Sequence, residues 1–195
     1  MAAESMPGRA NQKLRTRNAI VQAAAELSST GREVTMPEVA KAALVSEATA
    51  YRYFPDLASL LQVAIAGQLP TPEEALEPLA DCDDPVERIA AATEFLLRHV
   101  LSRQGVVRAL ISATITRAGR PYGRPGLRFG LIDSALAPLD RAIDAAVLAQ
   151  LKRDLAIVVS AEALFTLTDA CGLDPEEAIA STVHTATTLT RAALS

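Results

Sequence analysis

Ser46, Glu47, Thr49, Tyr51 and Arg52 fall within seven consecutive positions and bring hydroxyls, a carboxylate, a phenol and a guanidinium close together. An Arg can pair with guanine, a Thr can bond a base edge or pack on a thymine methyl, and a Glu can accept from cytosine. That is the chemistry of reading bases. Catalysis needs a different constellation, and the sequence holds none. The two histidines, His99 and His184, sit on distant segments with no HExxH pattern and no Cys/His cluster for a metal. There is no Gly-rich phosphate loop and no GxSxG elbow. Asp81, Asp83 and Asp84 form a short acidic cluster, better placed to cap the next helix than to hold a cation. No enzyme, no metal and no cofactor are expected.

The elements that position these groups are short. Residues 36–54 read MPEVAKAALVSEATAYRYF. Two helices, near 36–43 and 47–53, are separated by about three residues, too few to let them lie side by side. Such a pair crosses steeply, as in a helix-turn-helix. Val39, Ala43, Val45, Ala50 and Tyr53 can make its core, and Ala40 suits the crossing point. Ser46 is a good N-cap for the second helix. That helix then presents Glu47, Ala48, Thr49, Tyr51 and Arg52 near its start and outer face. In a helix-turn-helix the second helix enters the major groove, N-terminal end first. On spacing alone the same pair serves equally well as an αα-hairpin in a helical bundle.

The rest of the chain is also read as helical. Half of the 195 residues are hydrophobic, yet 38 are Ala and only 4% are aromatic. Ala favours helices and lets them approach closely, whereas a sandwich or barrel needs β-branched and aromatic residues. Thr-Pro-Glu-Glu at 71–74, Asp-Pro-Val-Glu at 84–87 and Asp-Pro-Glu-Glu at 174–177 share one helix-start grammar: cap, Pro at the first helical position, Glu three residues after the cap. A first helix is expected over 13–30, stopping at Gly31, and a fourth after Pro55. Longer helices are expected over 85–102, 104–118, 127–147, 149–170 and 175–193, with a GRPYGRPG loop at 119–126. That loop is a plain connector or an anion site through Arg120 and Arg124. The fold class is all-α with about nine helices: a disordered basic arm over 1–12, a helix-turn-helix domain over 13–55 and a larger helical domain over 56–195. Cys82 and Cys171 form no pair motif. No membrane span or signal peptide is seen, and a cytoplasmic location is expected.

Residues 15–65 carry a closer likeness. A basic start leads into a helix ending in Gly, Thr35 opens the second helix, the turn reads Ala43-Leu44-Val45-Ser46, and Thr49, Tyr51, Arg52 and Phe54 follow in order. This pattern resembles the DNA-binding segment of TetR-type transcriptional regulators. The resemblance covers about a quarter of the chain; beyond it, only helix number and length agree. It implies a repressor that binds a palindromic operator in double-stranded DNA as a homodimer. Arg9, Lys13, Arg15, Arg17, Thr35, Ser46, Glu47, Ala48, Thr49, Tyr51 and Arg52 are then the DNA-binding candidates, with Tyr51 directed at a backbone phosphate. Leu44 stands where the family has Gly, so either a branched side chain sits in the left-handed region or the turn differs slightly from the family's. Glu47 and Leu57 stand where phosphate-contacting lysines are common. Binding to random DNA should accordingly be weak and salt-sensitive.

The larger domain offers apolar faces at helical spacing. Leu155, Val158, Glu162, Ile179, Val183, Ala186 and Thr190 are the candidates for a four-helix dimer interface, or else for a core within one chain. The family likeness also implies a small effector in this domain; the apolar surroundings favour a hydrophobic or amphipathic one, or else the cavity is purely structural. Phe95, His99, Thr114, Tyr122, Phe129 and Phe165 are the aromatic and polar groups its helices offer, as lining or as plain core. The net charge of −4 does not oppose DNA binding. Residues 1–70 hold seven basic and six acidic side chains, and residues 71–195 hold twelve and 17. The acidity belongs to the larger domain, but the helix-turn-helix domain is itself barely basic. A second class of function therefore stays open: a helical interaction or adaptor protein of the same fold with weak or lost DNA binding.

Overall fold

A computed structural model describes residues 6–66, 69–116 and 127–195, with side chains from residue 10 onward and only to 112 in the middle segment. Arg9 and Thr114 (as side chains), Tyr122 and the 119–126 loop lie outside the described residues. The described residues form eleven α-helices and no strand. The class is all-α, as composition and caps required.

The chain divides into two compact units. The first comprises Met1–Gln68 together with Ser102–Arg124. It holds α1 (Met6–Ser28), α2 (Met36–Ala42), α3 (Glu47–Tyr53), α4 (Leu57–Ala66) and α7 (Gln104–Thr116). Helix α1 reaches back to Met6, so residues 6–12 are helical rather than a loose arm. Its face of Ile20, Ala23 and Ala24 is buried and packs on α4 and α2. Leu60 and Leu61 of α4 are fully buried. Each such burial removes enough apolar surface from water to contribute about 1.5–3 kcal/mol. Helix α7 packs on α4 and belongs with this unit, although its sequence position suggested the larger domain. Its start leans on the loop between α1 and α2: a Cβ on Gly105 would fall inside contact distance of the Arg32 carbonyl.

The second unit comprises Leu69–Leu101 and Pro125–Ser195. It holds α5 (Pro72–Ala75), α6 (Pro85–Ser102), α8 (Leu127–Leu136), α9 (Ala145–Val158), α10 (Ala161–Phe165) and α11 (Pro175–Ala193). Ile89, Ala92, Thr93, Leu96, Leu97 and Val100 line the buried face of α6 at helical spacing. The Arg88 guanidinium ties α6 to α8 and to the stretch 79–82. It donates to the carbonyls of Leu79 at 2.7 Å, Cys82 at 3.2 Å, Ser134 at 2.8 Å and Ala135 at 3.3 Å. Thr71 and Asp174 close capping boxes with Glu74 and Glu177, as their sequence grammar predicts.

Two expected long helices are broken. The one over 127–147 stops at Leu136 and passes into a 3₁₀ turn over Ala137–Leu139. Pro138 lacks the N–H that would continue the ladder. The one over 149–170 starts at Ala145 and breaks at Val159, where the Ser160 N–H donates to the Val158 carbonyl at 2.8 Å. The Ser160 hydroxyl then caps α10 by accepting from the Ala163 N–H. A π-turn over Thr166–Ala170 follows, and the chain leaves it at Gly172 with φ +71.

Candidate nucleic-acid interface

Helix α2 starts at Thr35, whose hydroxyl accepts from the Glu38 N–H at 3.4 Å. The Glu38 carboxylate returns the contact, accepting from the Thr35 N–H at 3.0 Å and from its hydroxyl at 2.7 Å. These bonds, with the Thr35 hydroxyl foremost and Arg32 nearby, hold the Glu38 carboxyl below the usual carboxylate range. The turn follows at once. The Val45 N–H donates to the Ala40 carbonyl at 2.9 Å, and Leu44 takes φ +56 with its side chain 92% exposed. Of the two readings of the missing Gly, the left-handed backbone is therefore the one present.

Helix α3 is capped by Ser46, which accepts from the Thr49 N–H at 3.2 Å, while the two hydroxyls share a bond of 3.0 Å. It ends where the Phe54 N–H donates to the Ala50 carbonyl at 2.9 Å. Ala50 and Phe54 are buried, and Val39 and Ala40 of α2 are buried across from α3. Ala43, Val45 and Tyr53, expected in this core, are half-buried. That packing leaves one outward face, made of Glu47, Ala48, Tyr51 and Arg52, all exposed. Thr49 is half-buried and engaged with Ser46, so it is less available than its neighbours. The Arg52 guanidinium lies 5.7 Å from the centroid of the Tyr53 ring.

On α1, Lys13 and Arg15 are exposed. Arg17 is different: it is half-buried, and its guanidinium lies 5.2 Å from the centre of the Phe54 ring. The sequence groups Arg17 with Lys13 and Arg15 as a DNA-binding candidate, because its ring partner lies far along the chain.

The candidates in the second unit are less gathered. Phe95 and His99 stack along α6 with centroids 6.3 Å apart, and both are half-buried. Phe165 is buried on α10. Phe129 is 52% exposed on α8, with the Arg128 guanidinium 4.8 Å from its ring centre, which makes it a surface residue of this chain rather than part of an enclosed lining. Of the interface candidates, Leu155, Ile179, Ala186 and Thr190 are buried in the chain's own core, because α9 and α11 pack on each other. Val158, Glu162 and Val183 are half-buried, and Glu162 lies 3.7 Å from Arg128. The surface these helices leave open carries residues the sequence did not single out. These are Ile157, 74% exposed, on α9 and Ala180, Ser181, His184 and Thr188 on α11. Among the described residues, no group of His, Cys, Asp and Glu is placed to hold a metal, and no helix is long and apolar enough to cross a membrane.

Comparison with known proteins agrees with this geometry. Residues 20–64, which run from the C-terminal part of α1 through α2 and α3 into α4, match the family described as bacterial regulatory proteins, tetR family. No protein of curated function matches the chain in sequence. The fold is similar to that of a TetR transcriptional regulator from Rhodococcus sp. RHA1, with 22% identity and a TM-score of 0.55 over 90% of this chain and 96% of that one. The segment that carries the helix-turn-helix is thus similar to the tetR family of bacterial regulatory proteins, and the fold of the chain is similar to that of a TetR regulator.

Proposed function

We propose that this protein is a transcriptional regulator that binds a palindromic operator in double-stranded DNA as a homodimer. Repression is its default output, relieved when a small hydrophobic or amphipathic ligand occupies the second unit. The observation that carries the reading is the outward face of α3. Glu47, Ala48, Tyr51 and Arg52 are exposed together on a helix whose opposite side is buried, and Arg52 keeps its exposed position beside the Tyr53 ring. A base-reading helix needs that division of labour. Lys13 and Arg15 on α1 add charge for backbone phosphates, with Arg9 alongside them in sequence.

One helix-turn-helix reads few base pairs, so two copies on two half-sites supply the selectivity. The open surface of α9 and α11 suits a partner copy. Ile157 is an apolar group otherwise left in water, and Ala180, Ser181 and Thr188 are small enough to let a second helix pair approach closely. A ligand acts here by population shift, favouring a conformation whose recognition helices stand at the wrong separation.

A competitive gel shift with the DNA flanking the protein's own gene tests the reading. A shift that survives excess random duplex is expected. Arg52→Ala and Tyr51→Phe should weaken it without changing helical content, Arg52→Ala by about 1–3 kcal/mol if it reads a guanine. The competing reading, a helical interaction protein of the same fold, draws on the acid at Glu47 and the half-buried Leu57 where cations would serve DNA better. Loss of every shift under competition would favour it.

A further inference from the structure

Arg17 stands apart from the other cations of α1. Lys13 and Arg15 point into water, whereas Arg17 is half-buried and lies over the ring of Phe54. It is three residues before Ile20, on the same side of α1 as that fully buried side chain. Phe54 is 4% exposed and is the residue at which α3 ends, since its N–H makes the helix's last bond to the Ala50 carbonyl. α3 is only seven residues long, so its orientation depends on how its two ends are held. Its start is held by the Ser46 cap and the turn from α2. Its end is held by Phe54, and a guanidinium over that ring also places positive charge near the negative end of the helix dipole.

We propose that Arg17 is a positioning residue, one that fixes the far end of the recognition helix against α1 through Phe54 and does not itself neutralise a DNA phosphate. The proposal rests on the DNA-binding reading. It assigns Arg17 a role the sequence could not, because a cation beside Lys13 and Arg15 looks like one more phosphate contact. A planar guanidinium is required for the role. Lysine keeps the charge but lacks the flat face that lies along an aromatic ring.

The two roles leave different signatures. A phosphate contact adds equally to selective and random binding and steepens the salt dependence, with a slope change of about 0.9 for each contact. A positioning residue affects selective binding alone. The experiment measures the full-length protein by fluorescence anisotropy on a selected operator duplex and on a random duplex, at several salt concentrations. Amide exchange at Ala50, Tyr53 and Phe54 is followed in the same samples. Arg17→Lys and Arg17→Met should each lower operator affinity about fivefold. Random-duplex affinity and the salt slope should stay unchanged, and exchange at the three amides should quicken by a similar factor. Phe54→Leu should mimic them, and adding Arg17→Lys to it should change little more, because the two residues act as one contact. The proposal is overturned if Arg17→Met weakens both duplexes alike and lowers the slope by about 0.9. Unchanged exchange at Phe54 overturns it as well. Should the unaltered protein show no preference between duplexes, the DNA-binding reading fails, and exchange at Phe54 alone decides whether Arg17 anchors α3.

Discussion

Leu44 offers a test in which the energetic terms can be separated. It sits in the turn at φ +56, and its side chain is 92% exposed. For an L-residue the left-handed well costs about 1 kcal/mol more than for Gly, because Cβ crowds the following carbonyl. Replacing Leu44 by Gly removes that cost and forfeits almost no buried surface, because the side chain buries so little. Gly also loosens the unfolded chain, which offsets about 0.5 kcal/mol. The net expectation is a gain of about 0.5 kcal/mol for Leu44→Gly. Leu44→Ala keeps Cβ and therefore the strain, so its stability should stay within about 0.3 kcal/mol of the parent. Leu44→Asn, which tolerates this backbone region, should fall at or above the Gly variant. Urea unfolding followed by circular dichroism ranks the variants by midpoint at constant slope. If the Gly and Ala variants unfold at the same midpoint, or the Gly variant unfolds first, the strain argument is wrong.

Other consequences follow from single contacts. Arg88→Met should remove the donor that four carbonyls share, leaving the Leu79 carbonyl only the Cys82 N–H at 3.1 Å. A loss of about 3 kcal/mol, seen as a drop of roughly 6–12 °C in Tm, is expected, and a drop under 2 °C would show the clamp to be dispensable. Gly105→Ala should cost about 1–3 kcal/mol, because backbone at Arg32 and Glu33 must move to make room. Gly172→Ala is its control: nothing lies within 4 Å of the added Cβ, so only the φ of +71 matters, at about 1 kcal/mol. A differential-scanning comparison in which the two Gly variants melted alike would argue against the close approach. Arg98 donates to Glu176 at 2.9 Å through both terminal nitrogens and holds that carboxyl below the usual range. A lowered carboxyl stabilises the fold above its ordinary pKa and loses that contribution as the pH falls through the lowered value. Glu176→Gln should therefore flatten the fall in stability between about pH 5 and pH 3, and an unchanged acid limb would mean that the pair contributes nothing.

Much of this protein is legible locally. Thr35, Ser46, Thr71 and Asp174 announce their helices because a cap and its Glu or hydroxyl partner lie within three residues. The turn was half legible: the Leu in the family's Gly slot pointed either to a left-handed residue or to an altered turn, and the backbone at φ +56 is the first of these. The misreadings are of two kinds. Pro138 and the β-branched run Ile157-Val158-Val159 before Ser160 were visible breakers, outweighed by apolar periodicity on either side. The others depend on partners distant in sequence. Gly105 against Arg32, Arg17 over Phe54 and α7 joining the first unit rather than the second leave no local trace. The faces of α9 and α11 were ambiguous for a further reason. Apolar residues occupy more than one side of each helix, and only packing shows that Leu155 and Ile179 turn inward while Ile157 turns out.

Selection of DNA sequences by the purified full-length protein from a pool of random duplexes, read by sequencing, needs no knowledge of the operator. The exposed face of α3, with the homodimer proposed above, predicts enrichment of one inverted repeat whose half-site centres lie about one helical turn, or a multiple of it, apart. Arg52→Ala should relax the preference at one position in each half-site. A pool that emerges with no preferred sequence, from protein shown to be folded, would contradict the assignment of this chain as a reader of DNA.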